Sequence, residues 1–292
     1  MKKLLILSVL IMTTSHSLSA SEGAAAFLEA SLHPQSVAIG NADTAISKGA
    51  LAPLSNSSGL INGTKTEIAA SSYTYLGTNF ISALASKSFG KVAVGAGYIN
   101  SSIEGFEETV LGDRVSKTGN TFDYTAQAFL LSGALELIPN GTIGVTLKSI
   151  TEKAGEASAT GLGMDIGAQL KLTPWLSTGV NIFNAIQPTL KWDNSSESDQ
   201  GRRIYSLGLG LCPTPKWILT ADIQADSQTQ WIETGVTYKI HPALTLRAGV
   251  NNQEWSTGLG LQLIGIQLDF SYTQPAVDHL DPQSRIGIKT SF

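Results

Sequence analysis

The chain has 292 residues, of which 14% are charged, with a formal net charge of −4, 29 glycines and a single cysteine. The acidic balance leaves no basic footprint for nucleic acid, and the lone Cys212 excludes an intramolecular disulfide framework. Charged residues fall well below the roughly 25% of an average soluble protein. Few charges with many Gly, Ser and Thr suit strands that face lipid on one side and a lumen on the other.

At the N-terminus Lys2 and Lys3 precede the apolar run Leu4 to Met12 and a polar, small-residue stretch to Ala20. This order predicts a secretory signal peptide over 1–20, cut after Ala20 or Ser19. No later stretch is apolar over the length a membrane-spanning helix needs. Residues 21–65 read as an N-terminal periplasmic or plug segment. Ser21 to Phe27 is expected to be helical or flexible, and Pro34 through Leu60 is too irregular for a strand. Gly40, Gly49 and Gly59 punctuate it.

From residue 66 to 292 the pattern is that of an antiparallel β-barrel. Leu162, Met164, Ile166, Ala168 and Leu170 oppose Gly163, Asp165, Gly167, Gln169 and Lys171; Tyr205, Leu207, Leu209 and Leu211 oppose Ser206, Gly208, Gly210 and Cys212. Such period-two alternation argues for half-buried antiparallel strands. The expected strands lie near 66–76, 79–88, 91–100, 121–138, 141–150, 159–172, 176–183, 203–212, 216–224, 230–240, 243–251, 255–263, 265–273 and 284–292. That gives about 14, with about 12 as the alternative count, in an all-β transmembrane barrel. Short turns carrying Pro or Gly, such as Pro139-Asn140-Gly141 and His241-Pro242-Ala243, take turns with longer polar connections near 101–120, 151–159, 184–202, 225–229, 251–254 and 274–283. An outer-membrane barrel has this asymmetry of periplasmic turns and external loops.

Charges within the strands mark the inner face. Lys148, Asp165, Asp222, Glu233, Arg247, Asp269, Arg285 and Lys289 fall on the less apolar parity. An ionised group facing mid-bilayer lipid is costly, so they are expected in the lumen. There they form either a structural ion-pair network or a polar conduction path. Trp175, Trp217, Trp231, Tyr73 and Tyr75 are expected in interfacial girdles, and Cys212 as a small buried side chain. The last strand places Ile286, Ile288 and Phe292 on one face. A strand ending in Phe resembles the closing strand that the bacterial barrel-assembly machinery recognises.

Signatures of catalysis are missing. There is no phosphate loop, and His33, His241 and His279 are far apart and lack metal-ligand spacing. No enzyme activity, catalytic residue, metal or cofactor is expected, and no ligand-binding residue can be named.

One stretch is more specific. Phe27-Leu28, then Ser36 to Ala42 with the turn Gly40-Asn41-Ala42, then Ala45, then Asn56-Ser57-Ser58-Gly59-Leu60, resembles the N-terminal signature of PorV/PorQ-type proteins, which belong with the FadL-like outer-membrane transporters. Ser57 and Ser58 replace the family's Pro-Ala, and Leu54-Ser55 stands where an aromatic usually precedes the Asn. Gly40 and Gly59 can take positive φ, and Asn41 and Asn56 can bond their own backbones. The resemblance implies a bacterial outer-membrane barrel, in contact with outer-membrane lipid, that passes small apolar molecules. The alternatives are an accessory protein of a type IX-like secretion system, handling secreted cargo proteins, or a structural surface barrel.

Overall fold

The computed structural model describes residues 23–111, 114–196, 198–252, 254–275 and 280–292. The predicted signal peptide, its cleavage site and His279 lie outside them. Fourteen strands form the wall: β1 (Thr66–Tyr75), β2 (Thr78–Ser88), β3 (Val92–Leu111), β4 (Val115–Ile138), β5 (Gly141–Ala154), β6 (Ala157–Thr173), β7 (Leu176–Ile186), β10 (Ile204–Thr214), β11 (Trp217–Ala225), β12 (Gln230–His241), β13 (Leu244–Asn251), β14 (Glu254–Leu263), β15 (Ile266–Gln274) and β16 (Gln283–Ser291). Each pairs antiparallel with its neighbours. β1 closes on β16 with Glu67 opposite Ser291 and Ser72 opposite Ile286. The Phe292 N–H donates to the Thr66 carbonyl at 2.9 Å, so the seam has no open edge there.

Alternation sets which face is which. On β10, Tyr205, Leu207 and Leu209 are exposed, whereas Gly208 and Gly210, on the other parity, lie against the chain inside. Ile143, Val145 and Leu147 of β5 and Ile286 and Ile288 of β16 likewise point outward. A wall whose outer face is a continuous apolar surface is suited to lipid outside. The end holding residues 66 and 291 also holds the turns at 89–91, 139–140, 174–175, 215–216, 242–243 and 264–265; it is called the turn end, and the other the loop end.

Two expectations at the loop end are corrected. Residues 101–120 are not a loop: β3 and β4 run on as a two-stranded ribbon beyond β2 and β5, with bulges at Ile103/Phe106 and Glu107/Thr109. The ribbon is exposed on both faces, so nothing demands apolar–polar alternation, and period two is lost from its sequence. The connection expected at 151–159 shrinks to a turn at Gly155, with Ala154 opposite Ala157. Within 184–202 a small hairpin, β8 (Thr189–Trp192) and β9 (Ser198–Gln200), packs on β6.

Residues 23–62 lie inside the barrel. They contain no strand, only single helical turns such as Pro34–Val37 and 3₁₀ turns at Ala26–Leu28, Gly49–Leu54 and Ser57–Asn62. Their orphan backbone groups are satisfied by the wall, as burial requires. Glu152 accepts from Ala25 N at 3.0 Å, Asp222 from Thr44 N at 2.9 Å, and Glu67 from Ala50 N at 3.1 Å. Close approach is possible because inward wall positions are glycine. A Cβ at Gly144 would overlap the Ser57–Ser58 backbone, one at Gly249 the Ile39–Gly40 backbone, and one at Gly258 the Ala38 side chain. Toward β1–β6 the interior is apolar, with Phe27, Leu32, Leu84, Ile99, Leu130 and Ile150 buried together.

Candidate functional site

The inner segment does not fill the lumen. Between it and strands β3–β7 and β10–β13 lies a cavity of about 330 Å³. Its lining combines apolar side chains, Leu28, Leu32, Ile99, Leu130, Phe183 and Ile204, with Asp43, Lys148, Asp165, Arg202, Trp231 and Glu233. Its size falls at the lower end of the range for small-molecule pockets, roughly 300–1,000 Å³.

The segment's turns fix the cavity floor. Gly40 and Asn41 both adopt left-handed backbone, at φ +64° each, which Gly tolerates freely and Asn better than most residues. Gly59 departs from expectation: it is needed for space, since a Cβ there would overlap the Ser47 carbonyl. Asn56 caps the turn that follows it, accepting from Ser58 N at 3.2 Å, while its amide donates to the carbonyls of Thr44, Ala168 and Val180. Ala42 and Leu60 are fully enclosed. Asp43 accepts from Ser36 Oγ and Ser55 Oγ, each at 2.6 Å, which ties the two ends of the segment's central loop. His33 accepts from Gln35 N through Nδ1 at 3.2 Å and is 1% exposed. Burial pushes its imidazole pKa down to about 4, with Asp269 opposing and Lys289 and Arg247 assisting the shift.

Seven of the eight expected lumen charges are buried inside. Lys148 Nζ donates to Asp165 Oδ1 at 2.6 Å and to Asn184 Oδ1 at 2.5 Å, and sits 3.7 Å from the Phe183 ring centre. Arg247 donates to Asp269 at 2.8 Å. Asp222 and Glu233 face each other across β11 and β12; among the described residues no ion pair reaches either. Glu233 instead accepts from Gln224 Nε2 at 2.5 Å and Trp231 Nε1 at 3.2 Å. Arg285 donates to the Ser31 carbonyl at 3.0 Å and stacks 4.3 Å from the Tyr73 ring centre. Lys289 is only half-buried, in a recess at the turn end beside Lys48 and Glu67.

Three aromatic and thiol expectations are corrected. Tyr73 is 6% exposed and stacks on Phe80 inside the lumen, since its parity on β1 is that of Ser71 and Ala69. Trp231 lines the cavity, held by its bond to Glu233, whereas Trp175 and Trp217 stand exposed beside turns as girdle residues do. Cys212 is only half-buried, because β10 emerges there toward its turn.

Some site residues escaped the sequence reading. Arg202 donates from Nη2 to Glu29 Oε2 at 2.6 Å and from Nη1 to Asp226 Oδ2 at 2.8 Å, clasping the inner segment to the loop-end rim. Beside it β7 is interrupted. Its register with β6 slips between Ile182 and Ile186, and Asn184 takes φ +56°. Asn184 N donates to Asp165 at 2.7 Å, and the carbonyls of Asn184 and Ala185 accept from Arg203. The available sequence signals are Asn184, a residue type that tolerates left-handed backbone, and the Arg202-Arg203 doublet, but both fall in or beside the expected connection 184–202.

Similarity to known proteins follows the fold. A sequence family described as "F plasmid transfer operon, TraF, protein" matches residues 142–261, less than half of the chain. No curated protein matches the sequence. Among solved structures, the Ralstonia pickettii toluene transporter TbuX is similar at 14% identity and TM-score 0.67, covering 89% of this chain and 98% of that one. The Pseudomonas putida toluene transporter TodX follows at 16% identity and TM-score 0.59, covering 87% and 95%. A Pseudomonas aeruginosa FadL homologue does so at 11% and 0.56, covering 85% and 94%. The fold is therefore that of the FadL-like barrels.

Proposed function

We propose that the protein resides in a bacterial outer membrane and passes small, largely apolar molecules through its lumen, with residues 23–62 as the plug that controls passage. The observation that carries this reading is the cavity, whose apolar lining comes from the plug, through Leu28 and Leu32, and from four strands, through Ile99, Leu130, Phe183 and Ile204. A molecule lodged there touches both, so displacing the plug and binding the ligand are physically linked. The fold shared with TbuX and TodX, each described as a toluene transporter, supports the substrate class. The polar side chains among the lining, Lys148 and Glu233 included, suit a ligand carrying one hydrogen-bonding group. The test is uptake of labelled toluene and benzyl alcohol by cells producing the protein, against cells producing Ile204→Trp, which fills the cavity from β10. Uptake above the empty-vector level that falls severalfold in the variant is expected; equal uptake in all three refutes the reading.

A narrower placement, within the PorV/PorQ-type group, is supported by the turns at Gly40-Asn41-Ala42 and Asn56 to Leu60. One observation favours an accessory secretion role alongside it. The β3–β4 ribbon stands clear of the barrel and exposes Phe106, Val110, Val115 and Phe122 at the loop end, where secreted cargo would be met. Removing residues 104–121 would then abolish cargo attachment at the cell surface while leaving small-molecule uptake intact; unaltered attachment counts against that role.

A further inference from the structure

The lipid-facing wall is not uniformly filled. Near the turn end, Trp217, Tyr238, Leu246, Leu259 and Phe270 stand opposite one another in register across β11–β15, forming one continuous outward row. Trp217 and Tyr238 stack with ring centres 4.3 Å apart. The next row toward mid-membrane has Ala248 opposite Thr257 on β13 and β14, flanked by Val236 and Tyr272. Two small side chains above a ledge of large ones leave a groove of about 440 Å³, lined almost wholly by apolar atoms. Just beyond the ledge, in the turn before Trp217, lies the exposed cation Lys216, whereas Lys239, next to the outward Tyr238, falls on the lumen parity.

We propose that this groove is a binding site for one glycerophospholipid, its acyl chain seated on Ala248 above the Trp217–Tyr238 ledge and its phosphate held by Lys216. The occupant follows from position. The groove opens only to the bilayer, so an acyl chain covers it. Aromatic rings mark the interface at the depth of the ledge, and a lysine beyond that depth faces anionic headgroups. Shape separates this lipid from its annular neighbours: a chain in the groove is contacted on its floor and along the ledge, not on one side alone, and gains the dispersion and burial that a flat wall withholds. At Gly258, beside the groove, the wall is one backbone thick. The inner face of that glycine packs on Ala38 of the plug, so the lipid lies directly behind the plug's helical turn.

The test uses the full-length protein purified in detergent and washed extensively, with retained lipid counted by native mass spectrometry after incubation with dioleoylphosphatidylglycerol. One retained phospholipid per barrel is expected. Ala248→Phe, which fills the groove, and Lys216→Glu, which reverses the headgroup contact, should each lower retention at least fivefold. Heat-modifiable gel migration verifies that each variant is closed, and the charge variant leaves the wall's packing untouched should the Phe disturb it. In a second readout, a form with Trp217 as its sole tryptophan should remain quenched by brominated lipid after the wash. No retained lipid in the wild type, or equal retention in folded variants, overturns the proposal. Neither result depends on whether the lumen transports anything.

Discussion

Replacing Arg202 with Gln cuts the clasp between plug and rim, and the size of the effect can be worked from its surroundings. The Arg202 side chain is 24% exposed, Glu29 8% and Asp226 4%. Exposed pairs contribute about 0.2–1 kcal/mol, and breaking a buried pair costs about 3–5 kcal/mol. A half-sheltered guanidinium serving two sheltered carboxylates falls between them, at about 1–2 kcal/mol for the arm that holds Glu29. Each 1.4 kcal/mol is about tenfold in an equilibrium, so the undocked population of residues 24–32 should rise by roughly five- to thirtyfold. Asp226 stays in place in either case, because its Oδ1 already accepts from Gln228 N and Thr229 N at 2.7 Å each. Backbone hydrogen exchange of residues 24–32, read by mass spectrometry, should therefore accelerate in Arg202→Gln and in Glu29→Gln, with the 226–229 loop unaltered. Unchanged exchange at 24–32, or acceleration confined to the loop, would show that the clasp does not hold the plug.

Three further outcomes are expected. Because the buried His33 imidazole has its pKa lowered to about 4 from 6.5, protons bind the undocked form preferentially between those values. Docking of residues 33–38 should thus weaken as pH falls from about 6.5 to 4, by at most about 3 kcal/mol, and His33→Asn should flatten the dependence; protection that rises on acidification contradicts this. Lys148→Met strands the buried Asp165 and should cost about 3–5 kcal/mol, whereas Lys148→Met/Asp165→Leu should recover most of it; denaturant titration of the heat-modifiable band compares them, and a double variant weaker than the single one would defeat the argument. Gly249→Ala must push the Ile39–Gly40 backbone aside at about 1–3 kcal/mol, while Gly133→Ala, which meets nothing within 4 Å, should be neutral; limited proteolysis near residue 40 distinguishes them.

The wall was legible wherever lipid and lumen lie on opposite sides of one strand, because that contrast writes period two into residues such as Leu162 to Lys171. It became illegible where the contrast ends. The ribbon beyond Ser102 is wet on both faces, so Phe106 and Glu107 follow no parity and read as loop. The charges Lys148 and Asp165 could be assigned to the lumen from parity alone. Their pairing could not, since it depends on the register of β5 against β6 and on the slip at Asn184, both three-dimensional facts. The cavity was hidden for a different reason. Its apolar lining is assembled from Leu28 and Leu32 on an irregular segment and from single residues on distant strands, so no local window holds it. Gly59 shows the limit of turn chemistry: glycine was read as conformational freedom where it supplies room.

The plug also constrains how the molecule is built. Several of its bonds to the wall join residues very far apart in sequence: 127 positions for Ala25–Glu152, 178 for Thr44–Asp222 and 254 for Ser31–Arg285. Contacts of such separation form late and slowly. A wall joined all round offers no side entrance, and residues 23–62 are tethered to β1 at one end. They must either be enclosed as β16 comes round to meet β1 or be drawn in afterwards through an open mouth. Enclosure gives the curling sheet a surface on which its inward glycines can seat. In that order of events, residues 23–62 serve as the form around which the sheet closes.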